Sequence, residues 1–205
     1  TQTQIQRGNV SVASVAVELA RKIFSSLDDR MVLVMGSGET SEKVARALFS
    51  RGVKKIVVAG RSLERAELLA GEFGGRAVLL ENWAGEFATI DIAISSTSAP
   101  GYILDRAKLE PLMKLRKHRP LLLIDIAVPR DIDPAVNFLE NVYLYNIDDL
   151  QAIADDYLKQ RKEDIRVCEG IIDEKVKGLL EAWRGARGAS SPSERSSANV
   201  SSYHT

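Results

Sequence analysis

Between Met31 and Asn146, short and almost continuously apolar runs alternate with stretches whose apolar residues recur every three or four positions. The runs are Met31–Met35, Lys55–Ala59, Ala77–Leu80, Ile90–Ser95, Leu121–Ile126 and Val142–Asn146. A strand without a polar face is buried on both sides, as in a parallel sheet covered by helices. The helical stretches between the runs are Glu39–Ser50, Leu63–Phe73 and Arg106–Lys117. In the second, Ser62 stands at the N-cap, Leu63, Ala66, Ala70 and Phe73 share a face, and Gly74 stops the helix. Trp83–Phe87 is short for a helix of its own. Repeated β-α-β units with short turns predict an α/β fold, a Rossmann-type doubly wound parallel sheet. The six runs match the strand complement of a dinucleotide-binding domain.

Helical periodicity also flanks this region. Val12, Val15, Ala16, Leu19 and Ile23 mark a connecting helix that ends near Phe24–Leu27, with Asn9 or Ser11 as its cap. After Asn146 the pattern stays helical to Trp183: Leu150, Ile153, Tyr157, Ile165, Cys168, Ile171, Ile172, Val176, Leu179 and Trp183 form a stripe broken by the charged patch Lys159–Arg166. A helix of that length outruns the sheet, so part of its stripe needs another partner. Thr1–Gly8 reads as a linker, and Gly185–Thr205, rich in Ser, as a disordered tail. The predicted organisation is a linker and connecting helix (1–28), a nucleotide-binding domain (29–147), a long helix (148–184) and the tail (185–205).

Composition narrows the function. Of 205 residues, 28 are Lys or Arg and 28 Asp or Glu, a neutral balance that argues against autonomous grip on a nucleic-acid backbone. Cys168 is the lone cysteine, which excludes a disulfide framework and a multi-cysteine zinc site, and only His118 and His204 could offer imidazole. No apolar run approaches a membrane span and no signal peptide opens the chain, so a cytoplasmic location is expected. The first residue is Thr1, which points to a processed chain or a segment of a longer protein.

Four segments carry candidate chemistry. Gly36-Ser37-Gly38-Glu39-Thr40-Ser41 follows the first strand and opens a helix. There Gly36 permits a tight turn, Gly38 lets the backbone approach a pyrophosphate, and the helix N-terminus supplies free N–H groups. The competing reading is a βα turn that merely reverses direction. At the end of the second strand, Gly60-Arg61-Ser62 lacks the Asp or Glu that holds an NAD ribose. Arg61 and Ser62 would instead face a 2′-phosphate, with Arg65 one turn on, unless Arg61 is solvated and Ser62 only a cap. Ser95–Pro100 leaves the fourth strand near the expected switch in strand order, where Ser96, Thr97 and Ser98 would line the nicotinamide side. Asp125–Pro134 faces the same crevice, and Asp125 is read more readily as a structural acceptor than as a catalytic acid. Cys168 is expected to act as a small hydrophobe in the helical stripe and His118 as a solvated member of the Lys114–Arg119 run. The chain thus reads as a cofactor module without a nucleophile.

These residues together resemble glutamyl-tRNA reductase from about Gly8 to Trp183. The resemblance is carried by Val10–Ala13, the Gly36–Ser41 turn, Ser95–Pro100, Ile124–Pro134 and Tyr143–Leu150. It implies a domain that delivers NADPH to reduce a glutamyl thioester, taken from tRNA by a cysteine on a preceding domain, to glutamate-1-semialdehyde for tetrapyrrole biosynthesis. It also implies that the long helix is a spinal helix leading into a dimerisation region, so a homodimer through this helix is expected. Contact with glutamyl-tRNA would pass only through the preceding domain. Ser41 stands where the glycine fingerprint has its third glycine, and Gly60-Arg61-Ser62 where the family has Asn-Arg-Thr. A shikimate-dehydrogenase-like NADP oxidoreductase and a non-catalytic nucleotide-binding module are the alternatives.

Overall fold

The computed structural model describes residues 11–188 apart from Ser37 and His118, with side chains to residue 184. The Thr1–Gly8 linker, the Asn9 cap, His204 and the Ser-rich tail beyond residue 188 lie outside the described residues. The contacts divide the chain into two units that meet between Leu158 and Lys159.

The first unit holds six parallel strands: β1 Met31–Met35, β2 Lys55–Gly60, β3 Arg76–Leu79, β4 Ile92–Ser95, β5 Leu121–Asp125 and β6 Val142–Asn146. Their order is β3-β2-β1-β4-β5-β6, so the chain reverses its direction of sheet growth between β1 and β4. That is the doubly wound topology expected, and the β1/β4 gap is where ligands enter such sheets.

Within the apolar runs, alternate residues serve opposite cores, since successive strand side chains point to opposite faces. Val32, Val34, Ile56, Val58, Ile92, Ile94, Leu122 and Ile124 face one layer of helices, α1 (Val12–Ile23), α2 (Glu39–Phe49), α3 (Leu63–Gly71) and the first turns of α5 (Ile147–Gly188). Leu33, Met35, Val57, Ala59, Ala93, Leu121 and Leu123 face the other, built from α4 (Arg106–Leu115) and two 3-10 helices, Leu80–Glu86 and Pro134–Phe138. Ser11 caps α1 by accepting from Ser14 N, and the buried Val15, Ala16 and Leu19 are the face read from periodicity. Each buried Val or Leu contributes about 1.5–3 kcal/mol relative to exposure.

Several boundaries move for identifiable reasons. Ile90 falls outside β4 because its N–H is spent on Glu86 O, at the end of the preceding turn. Leu80 leaves β3 to start a 3-10 helix through the segment that looked too short, and Trp83 and Phe87 stack there edge-to-face with centroids 4.8 Å apart. α3 stops at Gly71, and the N–H groups of Phe73 and Gly75 both return to Ala70 O.

The second unit is the distal part of α5. Every described side chain from Lys159 to Arg184 is exposed, including Ile165, Ile171, Ile172, Val176, Leu179 and Trp183. Cys168, expected to act as a small hydrophobe in this stripe, is exposed with it. No helix among the described residues is long and apolar enough to cross a membrane.

Candidate functional site

At the carboxyl ends of β1, β2 and β4 the chain encloses a cleft of about 610 Å³. Its first wall is the turn after β1. Gly36 has φ +88°, and a Cβ there would lie 2.3 Å from Ser96 O, so the turn tolerates nothing but glycine. Gly36 N donates to Ala59 O at 2.9 Å, which ties the turn to β2. Gly38 is the N-cap of α2 and caps it with no side chain, leaving the first-turn N–H groups available. A Cβ at Gly38 would come within 2.9 Å of Ser96 Oγ.

The other residues of the fingerprint turn away. Ser41 is fully buried and donates to Gly38 O at 2.7 Å and to Gly36 O at 3.4 Å, so it closes the turn from behind. Glu39 and Thr40 are exposed and do not line the cleft. The Glu39 carboxylate takes a hydrogen bond from Lys43 Nζ at 2.6 Å, and this cation holds it below the usual carboxylate range. Ser37, the remaining member of the predicted set, lies outside the described residues.

The second wall follows β2. Gly60, Arg61 and Ser62 all line the cleft, joined by Arg65. Gly60 allows close approach: a Cβ would meet Ala66 Cβ at 3.1 Å and Ser62 O at 3.2 Å. Ser62 also caps α3, accepting from Arg65 N at 3.4 Å. Arg61 reaches across the opening, where Nη2 donates to Ser98 Oγ at 2.6 Å. Among the described residues no carboxylate lines this cleft. Two guanidinium groups on one wall with no acidic counterpart favour an anionic ligand. Leu80 adds an apolar contact, because it starts the 3-10 helix at the cleft where its apolar run predicts a strand position.

The third wall is the segment after β4. Ser96, Thr97 and Ser98 line the cleft, as predicted. The Thr97 hydroxyl, however, is turned onto the Asp131 carboxylate at 2.6 Å and is not free to donate into the cleft. Asp125 has the structural role expected of it: its carboxylate accepts from Ala127 N at 3.1 Å, Asp131 N at 3.1 Å and Ile132 N at 3.0 Å. Burial pushes the Asp125 carboxyl above its ordinary value, partly offset by the N–H groups of Ile132 and Ala127.

A family model described as "Shikimate / quinate 5-dehydrogenase" matches residues 18–153, which contain the sheet and all three walls. The chain belongs to that family. Curated relatives are glutamyl-tRNA reductases: that of Geobacter sulfurreducens is 46% identical over 183 residues, which are 89% of this chain and 42% of the relative. That of Pseudomonas aeruginosa is 47% identical, over 90% of this chain and 44% of the relative. Among solved structures, glutamyl-tRNA reductase from Methanopyrus kandleri aligns with TM-score 0.74 and 38% identity, over 90% of this chain and 46% of that one. The nucleotide-binding domain of the Thermoplasma volcanium enzyme, 23% identical with TM-score 0.58, matches in fold, covering 76% of this chain and 99% of that one. The chain therefore spans less than half the length of the curated relatives it matches. The resemblance carried by the Ile124–Pro134 and Tyr143–Leu150 segments is borne out by these relatives.

Proposed function

We propose that this chain is the NADPH-binding domain of a glutamyl-tRNA reductase and presents the cofactor to a glutamyl thioester held by another part of the enzyme. The reaction class rests on the relatives named above, whose similarity runs across nearly the whole chain. The cofactor rests on the cleft. NADPH supplies a hydride when bound. Gly36 and Gly38 would receive the pyrophosphate on bare backbone at the start of α2, where a side chain on either residue would collide with Ser96. Arg61, Ser62 and Arg65 would take the 2′-phosphate, and Ser96 and Ser98 would border the nicotinamide end. The observation that carries the choice of NADPH over NADH is Arg61 on the wall of a cleft whose described lining residues include no carboxylate. Of the predicted set, Glu39, Thr40 and Ser41 would contribute through the main chain at most, since their side chains do not line the cleft.

No residue of the cleft is a nucleophile suited to forming the thioester, and Cys168 is exposed on α5 in the other unit. In this reading the acyl transfer from glutamyl-tRNA belongs to a cysteine-bearing domain, and the exposed stripe of distal α5 is the contact with a second copy. The shikimate-type alternative finds less support, because the relatives that match across 89% and 90% of this chain bear the reductase name.

Calorimetric titration of the chain with NADPH and NADH tests the cofactor assignment. NADPH is expected to bind at least tenfold more tightly; equal affinities, or no binding of either, would overturn it. The chain alone is expected to leave glutamyl-tRNA unreduced, with or without Cys168→Ser. Sedimentation at several concentrations tests the second-copy contact, and a strictly monomeric chain at all of them would refute it.

A further inference from the structure

Three polar groups, one from Ser95 at the end of β4 and two from Thr97 just after it, converge on one side chain from a different loop. Asp131 is fully buried. Its carboxylate accepts from Ser95 Oγ at 2.6 Å, from Thr97 N at 2.8 Å and from Thr97 Oγ1 at 2.6 Å. A carboxylate withdrawn from water is costly unless its oxygens are hydrogen-bonded, and here hydroxyls and a main-chain N–H meet that need. Two of the three bonds are made by Thr97, a residue of the cleft wall.

Asp131 is in turn fixed through its own backbone. Its N–H donates to Asp125 Oδ2 at 3.1 Å, and its carbonyl accepts from Ile103 N at 2.7 Å and Leu104 N at 3.1 Å. On the opposite side of the segment there is no slack, because Ser96 O and Oγ occupy the space that a Cβ on Gly36 or Gly38 would need. The wall is held between a buried carboxylate and a bare glycine turn, so a displacement of a few tenths of an ångström would alter the width of the cleft.

We propose that Asp131 is a positioning residue for the cofactor: it touches no part of it, but fixes the Ser96–Ser98 wall at the distance from the glycine turn that the nicotinamide half requires. The inference rests on the reading of this cleft as the NADPH site. Small errors in placing a reacting group have large consequences, which explains why a buried charge is spent on a wall that a neutral turn could also have formed.

Asp131→Asn keeps the shape of the side chain and one acceptor but replaces the other oxygen with a donor, which must face Thr97 or Ser95. Titration of the full chain with NADPH and with adenosine 2′,5′-bisphosphate, which lacks the nicotinamide half, separates positioning from general stability. NADPH affinity is expected to fall about fivefold or more, while the bisphosphate, held by Arg61 and Ser62, binds within about twofold of wild type. Should Asp131→Asn fail to fold, Thr97→Val removes one of the three bonds at nearly constant volume, and about a threefold loss for NADPH alone is expected. Unchanged NADPH affinity in a folded variant, or equal losses for both ligands, would overturn the role of Asp131. Failure of the wild-type chain to bind either ligand would instead overturn the cofactor reading, and the positioning role with it.

Discussion

At the carboxyl ends of β1, β2 and β4 the chain leaves glycines, hydroxyls and an exposed arginine around open volume, whereas at the amino ends of β4 and β5 it buries a guanidinium outright. Arg116, 1% exposed, donates through Nη1 to Phe87 O and Ile90 O and through Nη2 to Pro120 O at 2.8 Å, while its Nε finds no partner among the described residues. Beside it Asp91, also 1% exposed, accepts from Arg119 Nη2 at 2.6 Å and Met31 N at 3.0 Å. Burial pulls the Arg116 guanidinium down to about 10, helped by the charge of Arg119 and opposed by Asp91, so it stays charged at neutral pH. The same residue type does opposite work at the two ends. Arg116 uses its fork to satisfy backbone carbonyls at the starts of strands, whereas Arg61 holds its fork at the surface of the cleft, bonded to Ser98 Oγ, where the proposed reading gives it a phosphate. A parallel sheet makes this division natural, because all strand starts gather at one end and all strand exits at the other.

The division predicts that substitutions at the closed end change stability and leave cofactor affinity alone, while those at the open end do the reverse. The largest effect is expected from Arg116→Met, which takes the donor from two buried carbonyls and one part-buried carbonyl and costs about 3–5 kcal/mol in chemical denaturation. The folded fraction should bind NADPH as wild type does; a loss of affinity at unchanged stability would contradict the division. Next is Gly36→Ala, whose Cβ has no room beneath Ser96 O. NADPH affinity is expected to fall at least tenfold by calorimetry, with a smaller cost in stability of about 1–2 kcal/mol from the positive φ. Arg61→Ala should remove a charge-assisted phosphate contact of about 1.5–3 kcal/mol, lowering NADPH affinity about tenfold or more and leaving NADH nearly unaffected. Equal losses for both cofactors would show that Arg61 does not read the 2′-phosphate.

The smallest expected effect concerns Asp125, which lies at the open end yet serves the fold. Burial raises its carboxyl above 3.8, so the folded state holds this proton more tightly than the unfolded chain does. Its contribution to stability is complete below the unfolded value and is drawn down as the pH rises through the higher folded value. Comparison of wild type with Asp125→Asn by denaturation between about pH 4 and pH 7 should show wild type losing ground as pH rises. A gap that widens in favour of wild type with rising pH would reverse the assigned sign.

The same contrast explains what could be read early. The glycine turn and Gly60-Arg61-Ser62 were legible because each is a short contiguous string placed just after an apolar run. The same contiguity brings Glu39, Thr40 and Ser41 into the predicted site, but the first turn of α2 carries their side chains away from the cleft lining. Arg116 was hidden inside the basic run Lys114–Arg119, where composition argues for solvation, because its acceptors lie up to 29 residues away. Leu80 was missed because an apolar residue at a strand end looks like strand.

The chain alone determines the strand and helix alternation, the parallel character of the sheet and the lack of an Asp or Glu in Gly60-Arg61-Ser62. All of these follow from local hydrophobic period and from residue types at fixed offsets. Tertiary structure decides which polar groups are spent and which remain free. Asp131 meets Thr97 across 34 residues, and Arg61 meets Ser98 across 37, only because β4 inserts beside β1 and brings the strand exits together. Pairing at that separation depends on the order of strands in the sheet, which no local pattern encodes. The exposure of the distal α5 stripe belongs to the same class, since a helical period marks an apolar face but says nothing about what covers it.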